Sequence, residues 1–83
     1  MSNEWEVIAK TNNIYIAKKH EYIMLGVLCR DEYYESVEWN LSVGDEDLDW
    51  YTSGFDEGWD GAIEISTNRF DAHIEKLSGL YDE

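Results

Sequence analysis

Proline is absent, cysteine occurs once, and Lys and Arg together occur six times in 83 residues against nineteen Asp and Glu. With Cys29 alone there is no internal disulfide, so the cross-linked framework of small secreted domains is excluded. Its place inside an apolar run predicts a buried small hydrophobe, not a reactive thiol. Long hydrophobic runs are missing too. The longest, Tyr22 to Cys29, is far too short to span a bilayer, and Met1 to Glu6 carries neither the basic nor the apolar region of a signal peptide. A cytoplasmic location is expected, and the absence of any linker, repeat or low-complexity segment predicts one domain over 1–83.

Histidine is scarce as well. His20 and His73 stand on different elements with no motif around them, so they read as a turn residue and a polar helix residue, and neither zinc nor acid–base catalysis is expected. No cofactor motif is present. Gly54, Gly58 and Gly61 do not form a phosphate loop, because Lys is missing and Asp56, Glu57 and Asp60 would repel phosphate. Asp45, Asp47, Asp49, Ser53 and Asp56 fall at positions 1, 3, 5, 9 and 12 of a calcium-loop pattern, but Trp50 stands where the sharp turn needs Gly, so no metal site is expected. A binding protein, not an enzyme, is the expectation.

What the chain has in excess is negative charge, and it is polarised. Twelve of the nineteen acids lie between Asp31 and Glu64, and no Lys or Arg occurs between Arg30 and Arg69. Residues 31–68 carry −12 of the total −13. Such a field repels nucleic acid and anionic lipid, so direct binding to either is not expected, and it attracts basic protein surfaces. At 43% hydrophobic, with four Trp and six Tyr, the chain is nonetheless too apolar for a disordered acidic tail.

Period-2 alternation predicts strands. Trp5, Val7 and Ala9 alternate with polar neighbours, interrupted at Ile8; Thr11-Asn12-Asn13 turns the chain into Ile14 to Ala17. The continuous apolar run from Tyr22 to Cys29 predicts a central strand covered on both faces. Val37, Trp39, Leu41 and Val43 then predict a half-solvated fourth strand. Beyond Gly44, Asp45-Glu46-Asp47 reads as a helix start, with Leu48, Tyr51, Phe55, Trp59, Ala62 and Ile63 on one apolar stripe; a fifth strand over Trp59 to Thr67 is the competing reading. A last helix, capped by Thr67 or Asn68, carries Phe70, Ile74 and Leu77 and closes at Gly79. The fold class expected is α+β: an antiparallel sheet of three or four strands packed with one or two C-terminal helices.

On the helix so expected, Asp49, Asp56, Glu57, Asp60 and Glu64 share one sector over about 22 Å, roughly one carboxylate per 4.5 Å, against one phosphate per about 3.4 Å of a DNA strand. Asp31, Glu32, Glu35 and Glu38 would supply a second row if the fourth strand lay beside it, with Asp45, Glu46 and Asp47 at the helix start. Trp50 adjoins the acidic sector, as a local anchor or folded back over the glycines, and Tyr33 and Tyr34 adjoin Asp31 and Glu32. In size, acidity and clustered carboxylates with aromatics, the chain resembles the class of small phage-encoded inhibitors that mimic DNA. That resemblance implies a host cytoplasmic location and a basic nucleic-acid-binding protein or defence nuclease as partner. An immunity protein against a basic nuclease toxin, and an acidic structural or assembly protein, are the alternatives; homodimerisation stays open. Self-repulsion among the carboxylates opposes folding and salt screens it, so the melting temperature should rise between low salt and about 0.5 M NaCl, as a thermal melt followed by circular dichroism would record.

Overall fold

The computed structural model describes residues 5–81, with side chains as far as residue 77. Five strands come first: β1 (Glu6–Lys10), β2 (Ile14–Lys19), β3 (Tyr22–Arg30), β4 (Glu35–Val43) and β5 (Glu46–Gly54). One helix, α1 (Gly58–Tyr81), follows. The strands form a single antiparallel meander in the order β1-β2-β3-β4-β5, and α1 packs across one face. The architecture is therefore α+β as expected, with five strands where three or four were read and one long helix at the end.

Turn chemistry explains the meander. Thr11 Oγ1 accepts from the N–H groups of Asn13 and Ile14 at 3.1 and 3.0 Å, closing the β1–β2 turn. His20 and Gly44 occupy the first position of two-residue hairpins, with φ of 57° and 60°. Positive φ there matches the twist of the flanking strands. The interruption at Ile8 is a β-bulge: Val7 pairs with Ala17, Ala9 pairs with Ile16, and Ile8 is the extra residue.

The helix expected from Asp45 to Glu64 forms only from Gly58 onward, as the start of α1; residues 46–54 are strand. Gly44-Asp45 is a hairpin turn between Val43 and Glu46, and the chain returns along β4 as β5. The wrong period won because Leu48, Tyr51 and Phe55 also fit a helical stripe, whereas Trp50-Tyr51-Thr52 is β-favouring aromatic and branched sequence. A second bulge places Leu48 between the Leu41↔Asp49 and Ser42↔Asp47 pairs and lets it pack on the core. The competing strand over Trp59 to Thr67 is also absent, since those residues are helical. Thr67 and Asn68 lie inside α1 and cap nothing, and the helix runs past Gly79 to Tyr81.

The core lies between the sheet and α1. Tyr15 and Ala17 from β2, Met24 and Leu28 from β3, and Val37, Trp39 and Leu41 from β4 meet Ala62, Phe70 and Ile74 of the helix, with Ser66 buried among them. On α1 the positions 62, 66, 70 and 74 recur every four residues, which is the helical stripe that meets a flat surface. Tyr51 and Ser66 share a hydrogen bond between their hydroxyls, so the buried serine is satisfied. At the other strand face the expectation fails. Ile23, Leu25, Val27 and Cys29 of β3 are half-buried, and no element among the described residues lies over them. No helix of the described residues is long and apolar enough to cross a membrane.

Trp39 is fully buried across from Gly26, and a Cβ at Gly26 would overlap its six-membered ring. Gly26→Ala should therefore destabilise the fold by about 1–3 kcal/mol through overpacking, measured as a loss in chemical denaturation midpoint with little change in secondary structure.

Candidate protein-binding surface

The structure disperses the carboxylates that the sequence set in one helical row. Asp49 lies on β5 and faces α1, Asp56 and Glu57 lie in the turn before the helix, and only Asp60 and Glu64 are helical. Asp31 and Glu32 belong to the β3–β4 loop, and Asp45 to the β4–β5 turn at the opposite end of the sheet. Glu38 and Asp47 sit on the sheet face away from α1, in register with Thr52 and Ser42. The second row beside a helix is therefore not formed either.

Ion pairing sorts these acids further. Four of the six cations are engaged: Lys10 with Asp60 at 3.2 Å, Lys19 with Asp71 at 2.7 Å, Arg30 with Glu35 at 2.9 Å and Arg69 with Asp49 at 3.0 Å. Three of the twelve carboxylates between 31 and 64, namely Glu35, Asp49 and Asp60, are thus neutralised locally. The other nine (Asp31, Glu32, Glu38, Asp45, Glu46, Asp47, Asp56, Glu57 and Glu64) are exposed and form no ion pair among the described residues.

Two concentrations result. At the sheet end next to the helix N-terminus stand the β3–β4 loop, with Asp31, Glu32, Tyr33 and Tyr34, and the turn with Asp56 and Glu57. Tyr33 and Tyr34 are 87% and 63% exposed. Asp31 accepts from the Glu32 N–H and its own N–H donates to the Tyr34 carbonyl at 2.8 Å, so the loop is internally braced. At the far end, Asp45, Glu46 and Asp47 line the β4–β5 hairpin. Trp50 is 61% exposed on the face away from α1, beside Asn40, and does not cover the glycines. It is an available aromatic surface among acids, as an anchor requires.

The calcium-loop pattern is pulled apart by extended backbone. Asp47 pairs with Ser42 and Asp49 with Leu41, which sets the two carboxylates on opposite sheet faces. Among the described residues there is no group of three or more His, Cys, Asp or Glu placed to share a metal. His20 is a turn residue, and His73 lines a shallow depression with Asp49, Arg69, Ala72 and Lys76. Cys29 is half-buried on the open face, with Sγ 3.8 Å from the Val27 carbonyl.

No family model matches the chain, and no curated protein or solved structure matches it. The surface carries the functional argument alone.

Among the carboxylates of the described residues, Asp49 is the perturbed one. The hydrogen bond from Arg69 holds its carboxyl below the ordinary aspartate value, helped by the Arg69 charge and the Trp50 N–H, while burial opposes. A lowered folded-state value stabilises the fold above the unfolded value near 3.9 and loses that contribution as pH falls through the folded one. Arg69 also lies over the Tyr51 ring, 3.9 Å from its centroid. Asp49→Asn should cost at most about 1 kcal/mol at neutral pH, given the exposed guanidinium. The gap from wild type should close as pH falls below about 4, read from urea midpoints across pH.

Proposed function

We propose that this protein binds a basic protein surface, acting as an inhibitor that substitutes its own charge for that of DNA on a nucleic-acid-binding protein or nuclease. The nine exposed carboxylates between Asp31 and Glu64, in a stretch with no Lys or Arg, carry this reading. Uncompensated surface charge of one sign steers association with an oppositely charged partner and suppresses wrong partners. The pairing of Lys10, Lys19, Arg30 and Arg69 within the fold supports it further, because those cations are not available to neutralise the nine.

An immunity protein that blocks a basic nuclease toxin is the second reading. It is favoured by the dispersal of Asp49, Asp56, Glu57, Asp60 and Glu64 over strand, turn and helix, which removes the phosphate-like spacing of a single row. Competition distinguishes the two. Once a partner is captured at low salt, duplex DNA in excess should displace a charge mimic and should leave untouched a protein seated beside the nucleic-acid site.

Asp56→Lys, Glu57→Lys and Glu64→Lys together reverse three exposed, unpaired charges. Exposed substitutions of this kind change stability by about 0.5 kcal/mol or less each. The triple variant should keep its circular dichroism and melting temperature, lose association rate steeply, and show a weaker salt dependence of that rate, as stopped-flow binding would record. Binding at full strength by a normally folded triple variant would leave only a solvated acidic surface.

A further inference from the structure

The sheet face opposite α1 is apolar at its centre and bare among the described residues. Register sets Ile14 beside Val27 and Ile16 beside Leu25, and carries the second row on through Asn40 to Trp50. Ile23 lies next to Lys18 in the row below. Trp50 and Ile14 are 61% and 38% exposed; Ile16, Ile23, Leu25 and Val27 are only half-buried although hydrogen-bonded strands flank them on both sides. An antiparallel sheet that meets water on one face alternates apolar with polar residues, as β4 does with Glu38, Asn40 and Ser42 between Val37, Trp39, Leu41 and Val43. Strand β3 does not alternate. Its composition is that of a strand covered twice, and α1 covers it once.

Charge decides what covers it the second time. Glu6, Glu38 and Asp47 flank the apolar rows on this face and Lys18 is the cation among them. A second copy would set these carboxylates against their own kind and bring together two chains of −13 each. An apolar stripe flanked by Lys or Arg satisfies the centre and the rim together.

We propose that the open sheet face is the docking site for an amphipathic, basic segment of a partner protein, with Ile16, Leu25, Val27 and Trp50 as the apolar floor and Glu38 and Asp47 as the rim. This rests on the reading that the partner is a basic protein. It adds that apolar contact, not the carboxylates, sets the lifetime of the complex.

Three synthetic helical peptides of equal length test it on the full chain: a Leu/Lys amphipath, a Ser/Lys peptide of the same charge, and a Leu/Glu amphipath. Methyl NMR titration should show saturable binding of Leu/Lys with shifts at Ile16, Ile23, Leu25 and Val27, while Leu28 and Leu41 on the helix side stay near their free positions. Ser/Lys should bind at least about tenfold more weakly, and Ile16→Thr with Leu25→Thr should weaken Leu/Lys by about tenfold or more at unchanged circular dichroism. If that double variant unfolds, Val27→Thr with the same methyl map decides. Equal affinity for Leu/Lys and Ser/Lys overturns the docking site yet leaves a basic partner standing. Equal affinity for Leu/Lys and Leu/Glu overturns both readings, as does no binding by any peptide. A dimer in sedimentation equilibrium that Leu25→Thr dissociates assigns the face to a second copy and overturns the proposal.

Discussion

Trp39 sits at the point where every layer of this domain meets. Its ring is fully buried and lies in the space that the missing side chain of Gly26 leaves on β3. Edge-on contacts reach Tyr15 of β2 at 6.3 Å and Trp59 of α1 at 6.2 Å, and its indole N–H donates to Ser53 of β5 at 2.9 Å. One side chain therefore couples four elements beyond its own strand. Trp59 in turn meets Phe55 edge-on and donates to the Asn12 carbonyl at 2.8 Å, which ties the helix N-terminus to the first hairpin. A domain of this size has a thin core, and aromatic contacts that carry a polar handle hold several elements with few residues.

Charge works around this core. Three of the six cations stitch distant parts of the chain: Lys10 and Lys19 join the first hairpin to α1, and Arg69 joins α1 to β5. Trp5 donates to the same Asp71 that Lys19 contacts, at 2.9 Å, and the Lys19 ammonium also lies 5.9 Å from the Trp5 ring centroid. Such pairs contribute little singly in an exposed setting. Their larger consequence is for the remaining carboxylates, which are left to act outward on whatever approaches.

The two surfaces so defined have different physics. Dispersed exposed carboxylates act at long range, set encounter rate and fade with salt. The uncovered apolar strip on β2 and β3 acts at contact, through removal of area from water, and is not screened by salt. A binding protein that uses both recognises a partner that is basic and apolar in adjacent places, which is a narrower requirement than basicity alone.

Much of the first half of the fold was legible in the sequence, because alternation, turn residues and strand lengths agree there. The β1 bulge announced itself as the broken alternation at Ile8. Helix was the right reading from Trp59 onward and the wrong one for residues 46–54, which fit two periods at once; the deciding signal was the turn itself: Val43-Gly44-Asp45-Glu46 is a two-residue hairpin whose Gly adopts positive φ. The polarised charge of the candidate surface was a property of the sequence alone, since net charge needs no geometry. Which carboxylates remain unpaired was not, because Lys10 meets Asp60 and Arg69 meets Asp49 only once strand and helix are brought together across 50 and 20 residues. Nor could the sequence tell that β3 is covered once. An apolar run reports that its side chains avoid water, and only the placement of α1 on one face shows that the other is bare among the described residues.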